Sequence, residues 1–498
     1  MSPRRWGLLL ALTLTCAICG YAFFSVEAPK IRVKEPKKRT GKKLTRKQRS
    51  EKRQEAGSNT VVHLRDEQQI ERKGDVAADA PNILLVSIDT LRADALKPYG
   101  SPLDNAETMA ALAEEGVVFQ HSWSQAPSTS PTHASMFTSA LPSEHGVMGT
   151  NGRLPLSWFT LAEHMQSYGV RTWASTSSVR FALGVQLHQG FDDYAVFASG
   201  SQHGKTDKAL EVALSAISTE PEQPWFGFVH LMDVHAPYDV PEPHQSKFLS
   251  GPPSVKPGRT VQFLHRNRTR PKKVSAQQLQ DLKSMYAGGV SLVDTRIKDL
   301  RDAVQTLKRP TIIIITADHG EAFFERNYLG HGTFVHEPIM RIPLIFWGPG
   351  IIPAGAHRST LSQSIDLYPT ISTLMGLPTP DDLRGTDLSP VLMGDGELPG
   401  QTVIGQTNKR YMMVRDTPEG TFKILINKRK KAVRMYDIGT DPFEQTNISR
   451  AHPERATAWA DELRELVQNS KAPAAEQWEM TDEEREALEA IGYMDADD

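Results

Sequence analysis

The sequence predicts an α/β fold, with a largely parallel central sheet between helices and a smaller C-terminal antiparallel sheet and helix. Three observations carry that expectation. Continuous apolar runs recur at residues 81–89 (PNILLVSID), 225–233 (WFGFVHLMD), 311–320 (TIIIITADHG) and 342–348 (IPLIFWG), the pattern of strands buried on both faces. Helical stretches lie between or before them, at 107–115, 160–167, 207–218 and 277–307, and such alternation argues for a parallel sheet covered on both sides. After residue 348 the texture changes to a helix around 364–375 followed by TVIG, YMMVRD, TFKILIN and AVRMYDI, short strand candidates for a separate small sheet.

At 498 residues the chain exceeds one ordinary core, which seldom grows past about 250 to 300 residues. The expected division is a signal anchor or transmembrane segment over 1–29, a basic disordered linker over 30–79, a catalytic domain over 80–350 and a C-terminal part over 351–498. Residues 6–24 (WGLLLALTLTCAICGYAFF) follow Arg4 and Arg5 and are long and apolar enough to cross a bilayer, or to serve as a cleavable signal. Residues 30–53 are strongly basic and too poor in apolar side chains to build a core. That run reads as a solvated linker, with attraction to anionic lipid headgroups as the functional alternative. It has no interleaved aromatic residues, so no nucleic-acid partner is expected.

The expected localisation is a protein anchored in a membrane by a single N-terminal helix, its catalytic domain periplasmic or extracellular. The positive-inside tendency of the basic run leaves the cytoplasmic side open. Cys16 and Cys19, the two cysteines, both fall in the apolar segment, so the folded body has no disulfide and no thiol chemistry. Residues 241–274, rich in Pro, Lys and Arg, read as a long surface loop, and the acidic tail reads as helical at 453–467 and 481–491.

Four segments carry candidate chemistry. Asp89 ends the first apolar run, a place where an Asp also serves as a turn or cap. In APSTSPTHASMFTS (126–139), Ser130 reads as the N-cap of a helix whose first residue is Pro131. Thr129 then sits just before the helix N-terminus, where free N–H groups and the macrodipole favour an anion or a developing alkoxide, and His133 one turn inside could meet the same anion. Asp318 and His319 end the most apolar run, where a charge is costly unless paired or metal-bound. Together with Asp89 they make a mixed oxygen and nitrogen set suited to a divalent cation. His230, Asp233 and His235 in VHLMDVHAPY, with His331 and His336 in GHGTFVHEP, supply further strand-end groups, of which one or two should be structural.

Taken together, IDTLRAD, TSPTHASMFTSALPSEHGV, HLMDVHAPY, ADHGE, GHGTFVHE and IDLYPTISTLMGLP resemble the successive motifs of the sulfatase family, in the family's order, over residues 81–449. YDIGTDPFEQTNIS and the terminal EALEAIGYMD are similar to its second domain and tail. The resemblance implies an alkaline phosphatase-like fold and one divalent metal ion (Ca2+, Mn2+ or Zn2+) bound by Asp89, Asp318 and His319, with Thr129 beside it as nucleophile. It also implies that His235 and His331 contact nonbridging oxygens or protonate the leaving group.

The family motif Cys/Ser-x-Pro-x-Arg, whose first residue becomes formylglycine, is matched here by Thr129, Ser130, Pro131, Thr132 and His133. Oxidation at the carbinol carbon of threonine cannot give an aldehyde, so no formylglycine is expected. Thr129 can still act as a metal-activated alkoxide, as threonine does in related phosphodiesterases and phosphoglycerol or phosphoethanolamine transferases. His133 in place of arginine weakens the inference that a sulfate group is held there, and Thr90 stands where many sulfatases have a second Asp. The expectation is a metal-dependent hydrolase or transferase acting on phosphate mono- or diesters through Thr129. The alternatives are a sulfuric ester hydrolase and an inactive, membrane-bound binding or scaffold protein.

Overall fold

The computed structural model describes residues 59–63 and 70–470, except 150, 151, 199, 200, 220, 221, 395, 397, 399, 430 and 431. The apolar segment, most of the basic linker and the final tail helix expected at 481–491 lie outside the described residues. Among the described residues no helix is long and apolar enough to cross a membrane. The expected localisation by a single membrane-spanning helix is therefore corrected.

The main sheet contains β1 (Asn59–His63), β2 (Asn82–Ile88), β3 (Val117–Trp123), β4 (Arg171–Thr176), β5 (Asp193–Phe197), β6 (Trp225–Leu231) and β7 (Thr311–Ala317). After a short ribbon of β8 (Ala322–Phe323) and β9 (Leu329–Gly330), β10 (Leu344–Trp347) and β11 (Ala356–Gln363) complete it. The strand order is β1-β5-β4-β6-β2-β7-β10-β3-β11. From β5 to β7 the block is parallel, whereas β1 and β10 run antiparallel to their neighbours. The α/β expectation and the largely parallel sheet hold.

Strands β2, β6 and β7 are buried at every position, which explains why their sequences are unbroken apolar runs. Alternate residues serve two separate cores. Leu84, Val86 and Ile88 pack with the helices Glu107–Glu114, Gln202–Ser218 and Ala276–Gln305, while Ile83 and Leu85 pack with Thr129–Thr138, Leu161–Ser167 and Leu367–Leu374. Each such side chain contributes roughly 1.5–3 kcal/mol when fully buried. Gly227 in β6 is required by close approach, because a Cβ there would lie 2.3 Å from Cζ2 of Trp173 on β4.

The strands β3, β4, β5 and β11 were not legible as apolar runs. Their sequences mix Arg, Thr, Ser, His, Gln and Asp with apolar residues, since their polar side chains find partners in neighbouring strands and turns. The expected loop over 241–274 is also corrected in part: it contains the helix Thr260–Asn267, which buries Val261 and Leu264.

The C-terminal sheet is an antiparallel meander of β12 (Thr402–Gln406), β13 (Arg410–Thr417), β14 (Gly420–Asn427) and β15 (Ala432–Asp437). The helix Pro453–Asn469 lays Ala456, Ala460, Leu463 and Val467 on it, one apolar stripe at helical spacing, against Ile424, Ile426 and Met435. This matches the expected smaller antiparallel sheet with a helix.

Candidate active site

The parallel order β6-β2-β7 brings three strand ends together. Ile88 pairs with Ala317 on one side and Leu231 on the other, so the next residues, Asp89 and Asp318, leave the sheet as neighbours. This is the C-terminal edge of the parallel block, where open α/β sheets place their ligands. The helix Thr129–Thr138 begins beside it, and Thr129 Oγ1 lies 3.4 Å from Asp89 Oδ2. The helix starts earlier than its sequence suggested: Thr129 is its first residue and Ser128, not Ser130, is the N-cap. Pro131 is tolerated because it falls within the first turn, where N–H groups have no intrahelical acceptor.

Asp89, Asp318 and His319 are each fully buried, and each has a side-chain atom with no hydrogen-bond partner: Asp89 Oδ1, Asp318 Oδ2 and His319 Nε2. Those same atoms face one another, with His319 Nε2 3.8 Å from Asp89 Oδ1 and 3.5 Å from Asp318 Oδ2. The remaining atoms of the cluster are already committed. Asp318 Oδ1 accepts from the backbone N–H of Thr90 (3.2 Å) and of His319 (2.8 Å). His319 Nδ1–H donates to Gly320 O at 3.0 Å, which leaves the Nε2 lone pair for a cation.

Burial, then Asp318 and Glu321, push the Asp89 carboxyl well above the usual carboxylate range. Several carboxylates gathered in one dry place repel unless a cation joins them. The three residues thus form a set that fits a divalent metal ion. Thr90 does not add to it: at φ 59° its hydroxyl donates to Asp89 O at 2.7 Å.

Of the other expected residues, His331 and His235 border this cluster. The His331 ring centroid lies 4.5 Å from that of His319 and 5.1 Å from that of His235. Burial pushes the His235 pKa down to about 3, and its Nδ1–H donates to Ala236 O at 2.6 Å. Burial also holds His331 well below the usual range for imidazole.

His133 does not meet an anion as a cation. It is fully buried, Nδ1 lies 2.8 Å from Thr129 O and Nε2 2.9 Å from Ser87 Oγ, and burial lowers its pKa to about 4. At neutral pH it is an uncharged ring, packed edge-on to Phe181 and Phe228. Asp233 and His336 lie apart from the cluster's chemistry: Asp233 Oδ2 pairs with Arg296 Nε at 2.7 Å, and His336 with Glu444.

Three groups were missed by sequence reasoning. Glu321, fully buried, lies 3.0 Å from His331 Nδ1 and completes an acid–imidazole pair. Arg180 and Lys205, only 1% and 4% exposed, both act electrostatically on Asp89. Burial lowers the Lys205 pKa to about 8, against the opposing pull of Asp89. Glu321 was visible in ADHGE but not its partner, and nothing around Arg180 or Lys205 marked them.

A mixed sheet of this topology, with acidic and imidazole donors at the strand ends beside a hydroxyl at a helix head, defines an alkaline phosphatase-like hydrolase. The sequence profile described as Sulfatase matches residues 81–377, and the chain belongs to the sulfatase family. A second profile, N-sulphoglucosamine sulphohydrolase, C-terminal, matches residues 329–472.

Among curated relatives, a Delta 4,5-hexuronate-2-O-sulfatase of Bacteroides thetaiotaomicron is 21% identical over 415 residues, 75% of this chain and 85% of that protein. Human arylsulfatase A is 25% identical over 405 residues, 72% of this chain and 75% of its own. Among solved structures, a phosphonate monoester hydrolase of Agrobacterium radiobacter shares the fold at 19% identity and TM-score 0.64, covering 78% of this chain and 96% of that one. A 2-O GAG sulfatase does so at 18% identity and TM-score 0.65, covering 79% and 93%. Members of the family are metal-dependent hydrolases, and this chain carries a candidate set of metal-binding residues.

Proposed function

We propose that this protein hydrolyses phosphate mono- or diesters, or transfers the same group, through Thr129, with one divalent cation held by Asp89, Asp318 and His319. The observation that carries the reading is the Thr129 hydroxyl at the head of its helix, 3.4 Å from Asp89 Oδ2 and beside three convergent carboxylate and imidazole atoms. A divalent cation in that set supplies positive charge that favours ionisation of a neighbouring hydroxyl and draws charge from ester oxygens. The Thr129 oxygen attacks phosphorus, the bond to the leaving oxygen breaks, and an ester forms on Thr129. His331, oriented by Glu321 and kept neutral by burial, relays a proton: its imidazole takes one up, from the ionising Thr129 hydroxyl or from solvent, before passing it to the departing oxygen. Arg180 and Lys205 offset the negative charge of the bound ester. Water then attacks phosphorus and frees the group, or an acceptor alcohol takes it.

The preference for phosphorus follows from the nucleophile, because the fold is shared by enzymes named for phosphonate monoesters and for sulfate esters. A formylglycine hydrate expels sulfate by collapsing to the aldehyde, without attack at sulfur. Threonine has no such exit. Its covalent ester must be broken at the central atom, where preorganised donors and charge stabilise the transition state.

The second reading, a sulfuric ester hydrolase, is favoured by the names of the curated relatives. Side-by-side kcat/KM values for aryl phosphate, phosphodiester and aryl sulfate separate the two, with mass spectrometry of the peptide carrying Thr129. Faster phosphate turnover by unmodified Thr129 is expected; faster sulfate turnover by the same unmodified residue overturns the reading.

A further inference from the structure

We infer that His230 is a fourth protein ligand of the cation held by Asp89, Asp318 and His319, making a two-carboxylate, two-imidazole centre suited to Zn2+ or Mn2+ rather than Ca2+. The inference rests on the metal-centre reading above and extends it to a residue and an ion class.

His230 is the penultimate residue of β6 and pairs in parallel register with Ser87 of β2. Paired parallel residues share a face of the sheet, and so do residues two apart on one strand. Ser87, Asp89 and His230 therefore look the same way, toward the helix Thr129–Thr138 that covers this face. The His230 side chain has no solvent exposure, and among the described residues neither ring nitrogen has a hydrogen-bond partner. Rings hold it in place: Phe181 at 4.6 Å and His133 at 5.2 Å between centroids. Buried polar groups nearly always have partners, so an imidazole clamped by aromatic rings with neither nitrogen paired calls for one.

The geometry points to that partner. His230 Nε2 stands 3.6 Å from Asp89 Oδ2, too far for a hydrogen bond, while His319 Nε2 faces the other oxygen, Asp89 Oδ1, at 3.8 Å and Asp318 Oδ2 at 3.5 Å, so the Asp89 carboxylate stands between the two imidazoles. Two ligand atoms each about 2.0–2.2 Å from a tetrahedral ion stand roughly 3.3–3.6 Å apart. Spacing alone does not select the ion, but donor type does: imidazole suits Zn2+ and its first-row neighbours, whereas Ca2+ takes oxygen.

His133, His230 and an Asp318 oxygen lie within 4.8 Å of one another as a group separate from Asp89, Asp318 and His319, the two sharing only Asp318, which raises a second ion as an alternative and requires a shift of the His230 side chain for the single centre. Both nitrogens of His133 are already engaged, by Thr129 O and Ser87 Oγ, so the single four-ligand centre is the arrangement we infer.

The test is X-ray absorption fine structure on the Zn2+-loaded protein, together with Zn2+ titration of the chelator-stripped protein against a chromophoric competitor. Two imidazoles per ion and one ion per chain are expected. In His230→Ala and His230→Gln the count should fall to one and Zn2+ affinity should drop by about 100-fold. One imidazole in the parent, two ions per chain, or unchanged affinity in both His230 variants overturns the inference. Asp318→Ala separates the two levels. If it loses the ion while the His230 variants keep it, only the fourth ligand falls; if all variants keep it, the metal-centre reading falls with it. Should the His230 variants fail to fold, the imidazole count in the parent decides alone.

Discussion

His331 Nδ1 lies 3.0 Å from Glu321 Oε1, and the other oxygen of that carboxylate accepts from Tyr238 Oη at 2.9 Å. The carboxylate is thus pinned from two sides and holds the imidazole with Nδ1 protonated. The His331 ring lies 4.5 Å from that of His319.

If this pair moves the proton to the leaving group, Glu321→Gln should lower kcat by about 100-fold with little change in KM, and His331→Ala should do the same. Steady-state kinetics on a substrate with a poor leaving group checks it. Substrates with good leaving groups need less protonation, so their loss should be smaller. An equal loss on both kinds of substrate would mean that the pair acts elsewhere.

Thr129→Ala should reduce turnover by roughly three orders of magnitude while metal content stays near that of the parent, because attack is lost and the ligand set is not. Thr129→Ser should retain more activity than Thr129→Ala, since it keeps the hydroxyl. Ser130, whose Oγ has no hydrogen-bond partner among the described residues, should tolerate Ala. Elemental analysis beside kinetics reads both arms.

Prolonged dialysis against a strong chelator should abolish activity, and stoichiometric divalent metal should restore it. Without a cation, the carboxylates of Asp89 and Asp318 repel in a dry site. The stripped protein should accordingly unfold at a different temperature from the loaded one, and calorimetry without substrate measures this separately from catalysis.

A fourth prediction concerns stability away from the site. Lys423 on β14 is fully buried, with Nζ 2.6 Å from Glu337 Oε1 and 2.9 Å from Glu444 Oε1. Lys423→Met leaves two carboxylates without their cation and should cost about 3–5 kcal/mol in denaturant unfolding.

The same network sets an acid limit. Despite the opposing effect of burial, Lys423 and His336 hold the Glu444 carboxyl at about 2, against 4.5 for the unperturbed group. The unfolded chain therefore binds more protons in that interval. The contribution of Glu444 to stability is full above about pH 4.5 and is lost as pH falls toward about 2. Lys423→Met should flatten that part of the stability profile.

Much of this was legible in the sequence, for physical reasons that differ by element. Strands β2, β6 and β7 must be apolar at every position because both faces are buried, and that pattern survives without coordinates. Strand β4, with Arg171 and Thr172 in RTWAST, is buried at every position yet did not stand out. Arg171 reaches Asp193 and the carbonyl of Ala216, contacts that satisfy charge in space and leave no periodic trace. The helix start at Thr129 was placed two residues late because Pro131 looked like a first helical residue, whereas the chain turns earlier at Ser128.

The sequence by itself determined the α/β class and the sulfatase-family motifs, because each is a matter of local chemistry and order along the chain. Only the tertiary structure decided that Asp89, Asp318 and His319 turn their unpartnered atoms toward one another, since the register of β2 with β7 sets that encounter. It also decided that His133 lies neutral in the core, that Glu321 pairs with His331, and that Arg180 and Lys205 come to the site from distant segments. Burial and long-range pairing set the charge of a side chain, and neither can be read from its neighbours in sequence.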